Sequence, residues 1–115
     1  MKMAGLRVYG SPRCISTRRT WELFEQLGKQ FEKIDLFEQL PPKWVLQKAV
    51  AADDVTASFN TRNPAWKHLR NRRFSKAQAV EYLLKHPEMI RRPLVVRNRE
   101  IYQGYDEEDL RKLLR

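Results

Sequence analysis

The pattern of apolar and polar positions at the start of the chain predicts a strand, a helix and a second strand. The run Leu6-Arg7-Val8-Tyr9 predicts a short strand, which the turn Gly10-Ser11-Pro12 ends. Residues 15–27 predict a helix that Gly28 stops, and its expected apolar face comprises Trp21, Phe24, Leu27 and Leu23. Residues 31–36 predict the second strand. This order predicts a parallel βαβ unit with a right-handed crossover.

The middle of the chain has the pattern of several short helices. The pair Pro41-Pro42 suits a helix start, and apolar residues follow as far as Val50. Residues 55–59 and 64–69 predict short helical pieces. Ser75 is expected to cap a helix that runs to about His86, where Pro87 ends it. Together these pieces predict a helical insertion at about residues 41–90.

The last part of the chain predicts a hairpin and a final helix. Pro93 opens a strand over residues 94–96, Asn98-Arg99 suits a two-residue turn, and residues 100–103 return as the partner strand. Asp106 is expected to cap the last helix. The whole order predicts an α/β fold with one mixed four-stranded sheet, in which the helical block separates a β-α-β half from a β-β-α half. We expect residues 1–115 to form a single domain.

Composition and charge narrow the class of protein. The chain has 115 residues, 42% hydrophobic and 32% charged, which is typical of one globular core. No apolar run approaches the roughly 20 residues of a membrane span, and the first residues lack the pattern of a secretory signal peptide. We therefore expect a cytoplasmic protein without a membrane partner. The net charge of +9 favours anionic partners: oxyanions, glutathione, nucleic acid or an acidic protein surface.

The single cysteine is the residue with the clearest chemistry. One cysteine excludes an internal disulfide, and no metal site is expected from one cysteine and two distant histidines. Cys14 falls at the N-terminus of the predicted first helix, where free N–H groups and the helix dipole favour a thiolate. Arg18 lies on the same helical face, Arg13 adds charge, and Thr17 is placed to donate a hydrogen bond to the sulfur. The alternative is an inert cysteine buried in the turn.

An ordered set of motifs resembles the arsenate reductase-like family, which also contains the Spx transcription regulators. The matching stretches cover nearly the whole chain and are Cys14-Ile15-Ser16-Thr17-Arg18, Arg62, Arg92-Pro93-Leu94-Val95-Val96 and Gly104-Tyr105-Asp106-Glu107. The resemblance implies a thioredoxin-like fold with an inserted helical block. It also implies that Cys14 is the nucleophile of a Cys-x-x-Ser-Arg motif, with Thr17 in place of the serine.

The resemblance further implies which groups hold the substrate. The residues implied as catalytic are Cys14, Arg18, Arg62 and Arg92, and those implied to bind substrate or glutathione are Arg13, Thr17, Arg92 and Pro93. Three guanidinium groups around the sulfur would suit an oxyanion or a carboxylate. A cis bond before Pro93 is also implied, which would present the Arg92 backbone to a peptide-like thiol. The alternative for Arg62 and Arg92 is solvated surface charge.

Two departures from the family pattern shape the expected function. The stretch Tyr102-Gln103-Gly104-Tyr105 has no arginine where the arsenate reductases carry one, and Thr17 stands where Spx proteins have a second cysteine. A single thiol needs an external thiol to resolve its adduct. We therefore expect a glutathione-dependent reductase with no bound cofactor, acting on an arsenate-like oxyanion or a mixed disulfide. Glutathione is its expected reductant, and glutaredoxin a further partner.

Two other functions stay open. The basic character and the Gly104-Tyr105-Asp106-Glu107-Glu108 ending favour a Spx-like regulator that binds RNA polymerase. Direct nucleic-acid binding is a less favoured hypothesis. It would use the basic stretch from Arg62 to Arg73, where Trp66 and Phe74 interleave with the charges. Aromatic residues in such stretches are more often core positions of short helices.

Overall fold

The computed structural model describes residues 5–115, and they divide into two compact units. One unit contains the described residues up to Gln39 together with Arg92–Arg115, and the other contains Leu40–Arg91. Residues 1–4, on which the expected lack of a signal peptide partly rests, lie outside the described residues. In the part of the chain that the structure describes, no helix has the length and apolar character needed to cross a membrane.

The first unit is built on a four-stranded mixed sheet in the order β2-β1-β3-β4. The strands are β1 (Leu6–Gly10), β2 (Glu32–Asp35), β3 (Leu94–Arg97) and β4 (Glu100–Gln103). Strand β1 pairs parallel with β2 and antiparallel with β3, which pairs antiparallel with β4. The predicted four-stranded mixed sheet is confirmed, with β1 as an inner strand.

Helix α1 (Ile15–Gln26) packs against this sheet through a face that differs in part from the predicted one. Leu23 and Phe24 are buried in the core cluster, whereas Trp21 and Leu27 are only half-buried against it. Thr17 and Thr20 are also buried. All four predicted apolar residues of α1 therefore pack on the core cluster, and the buried side of the helix also includes two threonines that the apolar pattern does not mark.

The hairpin and the last helix of this unit follow the predicted local signals. Asn98 adopts a φ of 54°, a left-handed conformation that asparagine tolerates in tight hairpin turns. Asp106 caps α5 (Glu107–Leu113) by accepting a hydrogen bond from the Asp109 N–H at 3.0 Å. Leu110 and Leu114 then join the core cluster.

The second unit is helical, as the pattern of residues 41–90 predicts. It contains α2 (Lys43–Ala49), α3 (Trp66–Leu69) and α4 (Lys76–Lys85), with short 3-10 helices at Val55–Ser58 and Pro87–Met89. Ser75 caps α4 through a capping box, in which its Oγ accepts from the Gln78 N–H at 3.1 Å.

An aromatic cluster occupies the interior of the second unit. The ring of Phe59 is buried, and the rings of Trp66, Phe74 and Tyr82 lie with their centroids 5.7, 5.4 and 6.1 Å from it. The aromatic residues considered above as base-stacking groups, Trp66 and Phe74, therefore pack around Phe59.

Candidate active site

The loop between β1 and α1 holds Cys14 in a tight turn. The Cys14 N–H donates to the carbonyl oxygen of Ser11 at 2.9 Å, and the Arg18 N–H donates to the carbonyl oxygen of Cys14 at 3.0 Å. Cys14 is thereby the N-cap residue of a helix of 12 residues, with φ −89° and ψ 121°. Its side chain is partly exposed. The predicted position of the thiol at a helix N-terminus is confirmed.

The surroundings of Cys14 lower the pKa of its thiol from the ordinary value of 9.0. Partial burial is the largest influence and raises the pKa, but four other interactions together outweigh it. These are a hydrogen bond with the Thr17 hydroxyl, the backbone N–H groups of Thr17 and Ser16, and the positive charge of Arg92. All four interactions favour the thiolate, which is the nucleophilic form.

Thr17 is a buried side chain held by contacts on two sides. Its Oγ1 accepts a hydrogen bond from the Ser11 N–H at 3.4 Å, so the hydroxyl hydrogen is free to point at the Cys14 sulfur. Gly10 leaves the space for this arrangement, because a Cβ at Gly10 would collide with Oγ1 and Cγ2 of Thr17. The sequence pattern marks Gly10 only as a turn residue. The close approach of Gly10 to Thr17 packs the end of β1 against α1, and no local sequence signal indicates this contact.

Arg92 lies immediately before β3, and the strand register brings it to the Cys14 loop. The antiparallel pairing of β1 with β3 ends at Tyr9 and Leu94, so Arg92, two residues before Leu94, lies at the end of the sheet where the Cys14 loop begins. Arg92 is partly buried, and its charge lowers the pKa of the Cys14 thiol after burial and the hydrogen bonds named above. The Arg92–Pro93 peptide bond is cis, as predicted. Pro93 is buried, and its carbonyl oxygen accepts the Gly104 N–H at 2.8 Å.

The other predicted anion-binding arginines are exposed. Arg18 donates from Nη1 to the carbonyl oxygen of Pro12 at 3.3 Å. The Arg13 N–H donates to the Ser11 Oγ at 3.2 Å, which helps to fix the loop. Arg62 belongs to the second unit, where its N–H donates to the Asn60 Oδ1 at 3.2 Å. The roles of these three arginines stay predictions. Within residues 5–115, no group of three or more His, Cys, Asp or Glu side chains is placed to hold a metal ion.

The sheet topology and the thiol at the start of the first helix define a thioredoxin-like domain. The model of the ArsC family matches residues 9–113, and the chain belongs to this family. The resemblance seen in the motifs is thus confirmed.

Relatives and a solved structure agree with this assignment. The chain is 26% identical over 112 residues to the regulatory protein MgsR of Bacillus subtilis, a match that covers 94% of this chain and 89% of that protein. It is 26% identical over 98 residues to an arsenate reductase of Acidiphilium multivorum, covering 82% of this chain and 70% of the enzyme. The crystal structure of a possible arsenate reductase from Streptococcus mutans superposes with a TM-score of 0.80 at 26% identity, covering 94% of this chain and 98% of that one. The relatives of this chain therefore include both an enzyme and a regulatory protein.

Proposed function

We propose that the protein is a glutathione-dependent thiol oxidoreductase in which Cys14 attacks an arsenate-like oxyanion or a mixed disulfide. The observation that carries the proposal is a partly exposed thiol at the N-terminus of α1, beside groups that lower its pKa. Such a thiol is ionised more readily than a free cysteine and is accessible to a reactant. Membership of the ArsC family and similarity to a protein named arsenate reductase support the class of substrate.

The proposed reaction takes two electrons from two thiols. The Cys14 thiolate displaces one oxygen of the oxyanion, which leaves as water after protonation. The thiolate of glutathione then attacks the Cys14 sulfur, and the oxyanion departs with the bonding electron pair, reduced by two electrons. Cys14 is left in a mixed disulfide with glutathione. A second glutathione, or a glutaredoxin, attacks the glutathione sulfur of this disulfide and releases the Cys14 thiolate.

The basic residues supply the binding of anions in this proposal. Arg92, Arg18 and Arg13 are proposed to hold the oxyanion or the carboxylates of glutathione, since guanidinium groups match both in geometry and charge. We also propose Arg62 as an anion ligand, and the backbone at Arg92 and Pro93 as a contact for glutathione. The Thr17 hydroxyl favours the thiolate both as attacking group and as leaving group. We place the reaction in the cytoplasm, where the thiol pool keeps Cys14 reduced.

An assay with glutathione, glutaredoxin and arsenate tests this proposal. We expect turnover by the wild type, none by Cys14→Ser, and a marked loss in Arg92→Gln. Arg19→Gln is the matched control, because Arg19 is an exposed arginine of the same helix and is not assigned to the site. Treatment with glutathione disulfide should give a mass-spectrometric adduct on Cys14. No turnover together with no adduct would refute the enzyme.

Similarity to a regulatory protein over 112 residues favours a second candidate function. In this alternative the chain binds RNA polymerase and regulates transcription, as the resemblance to the Spx group implies. A pull-down of RNA polymerase with the wild type and with Cys14→Ala tests it. Binding by both proteins, without turnover in the assay above, would support the regulator. Failure of both proteins to bind would contradict it.

A further inference from the structure

An exposed aromatic ring lies over the side chain of Arg92. The Phe37 side chain is 55% exposed, and the Cζ atom of Arg92 lies 5.7 Å from the centroid of its ring. A single exposed apolar residue needs no special explanation. A guanidinium at this distance from a ring is in the range of a cation–π contact, which restrains a side chain that otherwise has many rotamers.

The backbone around Phe37 is fixed by hydrogen bonds. The Phe37 N–H donates to the Asp35 Oδ1 at 2.9 Å, and the Glu38 N–H donates to the Asp35 carbonyl oxygen at 2.9 Å. Leu36, one residue earlier, donates its N–H to the Gly10 carbonyl oxygen at 2.9 Å. The ring is therefore attached to a turn that is anchored to the end of β1.

The contact between Phe37 and Arg92 crosses the end of β1. Strand β1 lies between β2 and β3 in the sheet. Phe37 follows β2, and Arg92 precedes β3. The two side chains thus meet from opposite sides of the strand end at which the Cys14 loop begins.

We propose that Phe37 is a positioning residue that holds the Arg92 guanidinium over the start of the Cys14 loop. The proposal rests on the thiol chemistry proposed above, and it adds a residue that acts on the sulfur only through Arg92. Without the ring, the Arg92 side chain turns towards water, and its charge stabilises the thiolate less.

A double-mutant cycle between Phe37 and Arg92 tests the proposal. The readout is the rate of Cys14 alkylation by iodoacetamide at a pH below the thiol pKa, because only the thiolate reacts. We expect Phe37→Leu to slow alkylation no more than Arg92→Gln does, and by at most about two- to fivefold, the upper range that loss of an exposed cation–π contact allows. Phe37→Tyr keeps the ring and should react at the wild-type rate. In the Arg92→Gln background, Phe37→Leu should cause no further change.

Other outcomes overturn the proposal. An equal slowing by Phe37→Leu in both backgrounds would show that the ring acts on the loop and not through Arg92. An unchanged rate in Arg92→Gln would show that the charge does not reach the sulfur. Adduct formation with glutathione disulfide separates the two proposals. If the adduct forms normally and Phe37→Leu does not change the alkylation rate, only the positioning role of Phe37 is refuted. If the double-mutant cycle gives the expected rates but no adduct forms, only the reductase is refuted.

Discussion

At the residue scale, the hydrogen-bond donors and the charge that stabilise the Cys14 thiolate come from two parts of the chain. Thr17 and the N–H groups of Ser16 and Thr17 are neighbours of Cys14 in the first turn of α1. Arg92 is distant in sequence and reaches the loop because β3 pairs with β1. Burial opposes all of them, so the loss of one donor should be measurable in the pKa of the thiol.

Thr17→Val removes the hydroxyl with little change of shape. We expect the pKa of the Cys14 thiol to rise and alkylation below that pKa to slow by about ten- to a hundredfold, because a hydrogen bond to a charged group contributes about 1.5–3 kcal/mol. Thr20→Val is the matched control, since Thr20 is also buried on α1 but donates to the Ser16 carbonyl oxygen at 2.9 Å. If alkylation slowed equally in both variants, the cause would be disturbed packing of α1 and not the loss of the Thr17 hydroxyl.

The lowered pKa of Cys14 also predicts how stability depends on pH. The unfolded thiol keeps its ordinary value of 9.0, and the folded value is lower. Between the two values the unfolded chain binds more protons, so the free energy of unfolding rises with pH. The contribution is fully present above pH 9.0 and is lost as the pH falls through the folded pKa.

Denaturant unfolding under reducing conditions measures this contribution. The stability of the wild type relative to Cys14→Ser should increase from neutral pH towards pH 9.0. The comparison removes the effects of other titrating groups, such as Tyr9, whose pKa burial raises. A relative stability that falls over this range would mean that the folded state holds the neutral thiol.

At the element scale, short-range signals predicted much of the fold. Ser75 and Asp106 cap their helices as predicted, because a cap depends on residues only three positions apart. The Asn98-Arg99 turn joins β3 to β4 for the same local reason. The strands β1 to β4 were predicted from their apolar runs, within one or two residues at each end.

Features that depend on tertiary contacts were not predicted. Periodicity predicts the apolar face of α1, but it does not predict that Thr17 and Thr20 are buried as well. Gly10 has the sequence pattern of a turn residue, and its closeness to Thr17 arises only when α1 packs on β1. Phe37 follows an apolar strand like any core residue, and its contact with Arg92 exists only because β2 and β3 flank β1.

Gly10→Ala tests the packing of α1 on the end of β1. The new methyl group would collide with the buried Thr17 side chain. We expect a loss of about 1–3 kcal/mol in the free energy of unfolding, together with a raised pKa of the Cys14 thiol. Urea unfolding and the pH dependence of alkylation measure the two effects.

Ser75→Ala is the control for that experiment. It removes the cap of α4 in the second unit and should cost about 1 kcal/mol, with no change in the thiol pKa. A thiol pKa unchanged in Gly10→Ala, or raised equally in Ser75→Ala, would contradict the link between the glycine and the sulfur.

At the scale of the whole molecule, the charge of the chain favours anionic reactants. The net charge is +9, and the sequence pI is about 10.1. Cys14, Thr17 and Arg92 belong to the first unit, and the basic residues from Arg62 to Arg73 belong to the second. Both units thus contribute positive charge, which raises the rate of encounter with anions at low ionic strength.

This charge predicts a salt dependence for the reaction with glutathione disulfide. Adduct formation on Cys14 should slow several-fold between about 10 mM and 200 mM NaCl, because salt screens the attraction over distances beyond about 10 Å. Alkylation by neutral iodoacetamide is the control, and it should change much less. If the rates with both reagents depended equally on salt, salt would be changing the reactivity of the thiol and not the rate of encounter with the anion.

The most direct test of the account is the pKa of the Cys14 thiol in the folded protein. The pH dependence of the alkylation rate gives this value, and mass spectrometry confirms that Cys14 is the modified residue. We expect a midpoint below the ordinary value of 9.0. A midpoint at or above 9.0 would mean that burial outweighs the donors around the sulfur, and it would contradict the proposed chemistry.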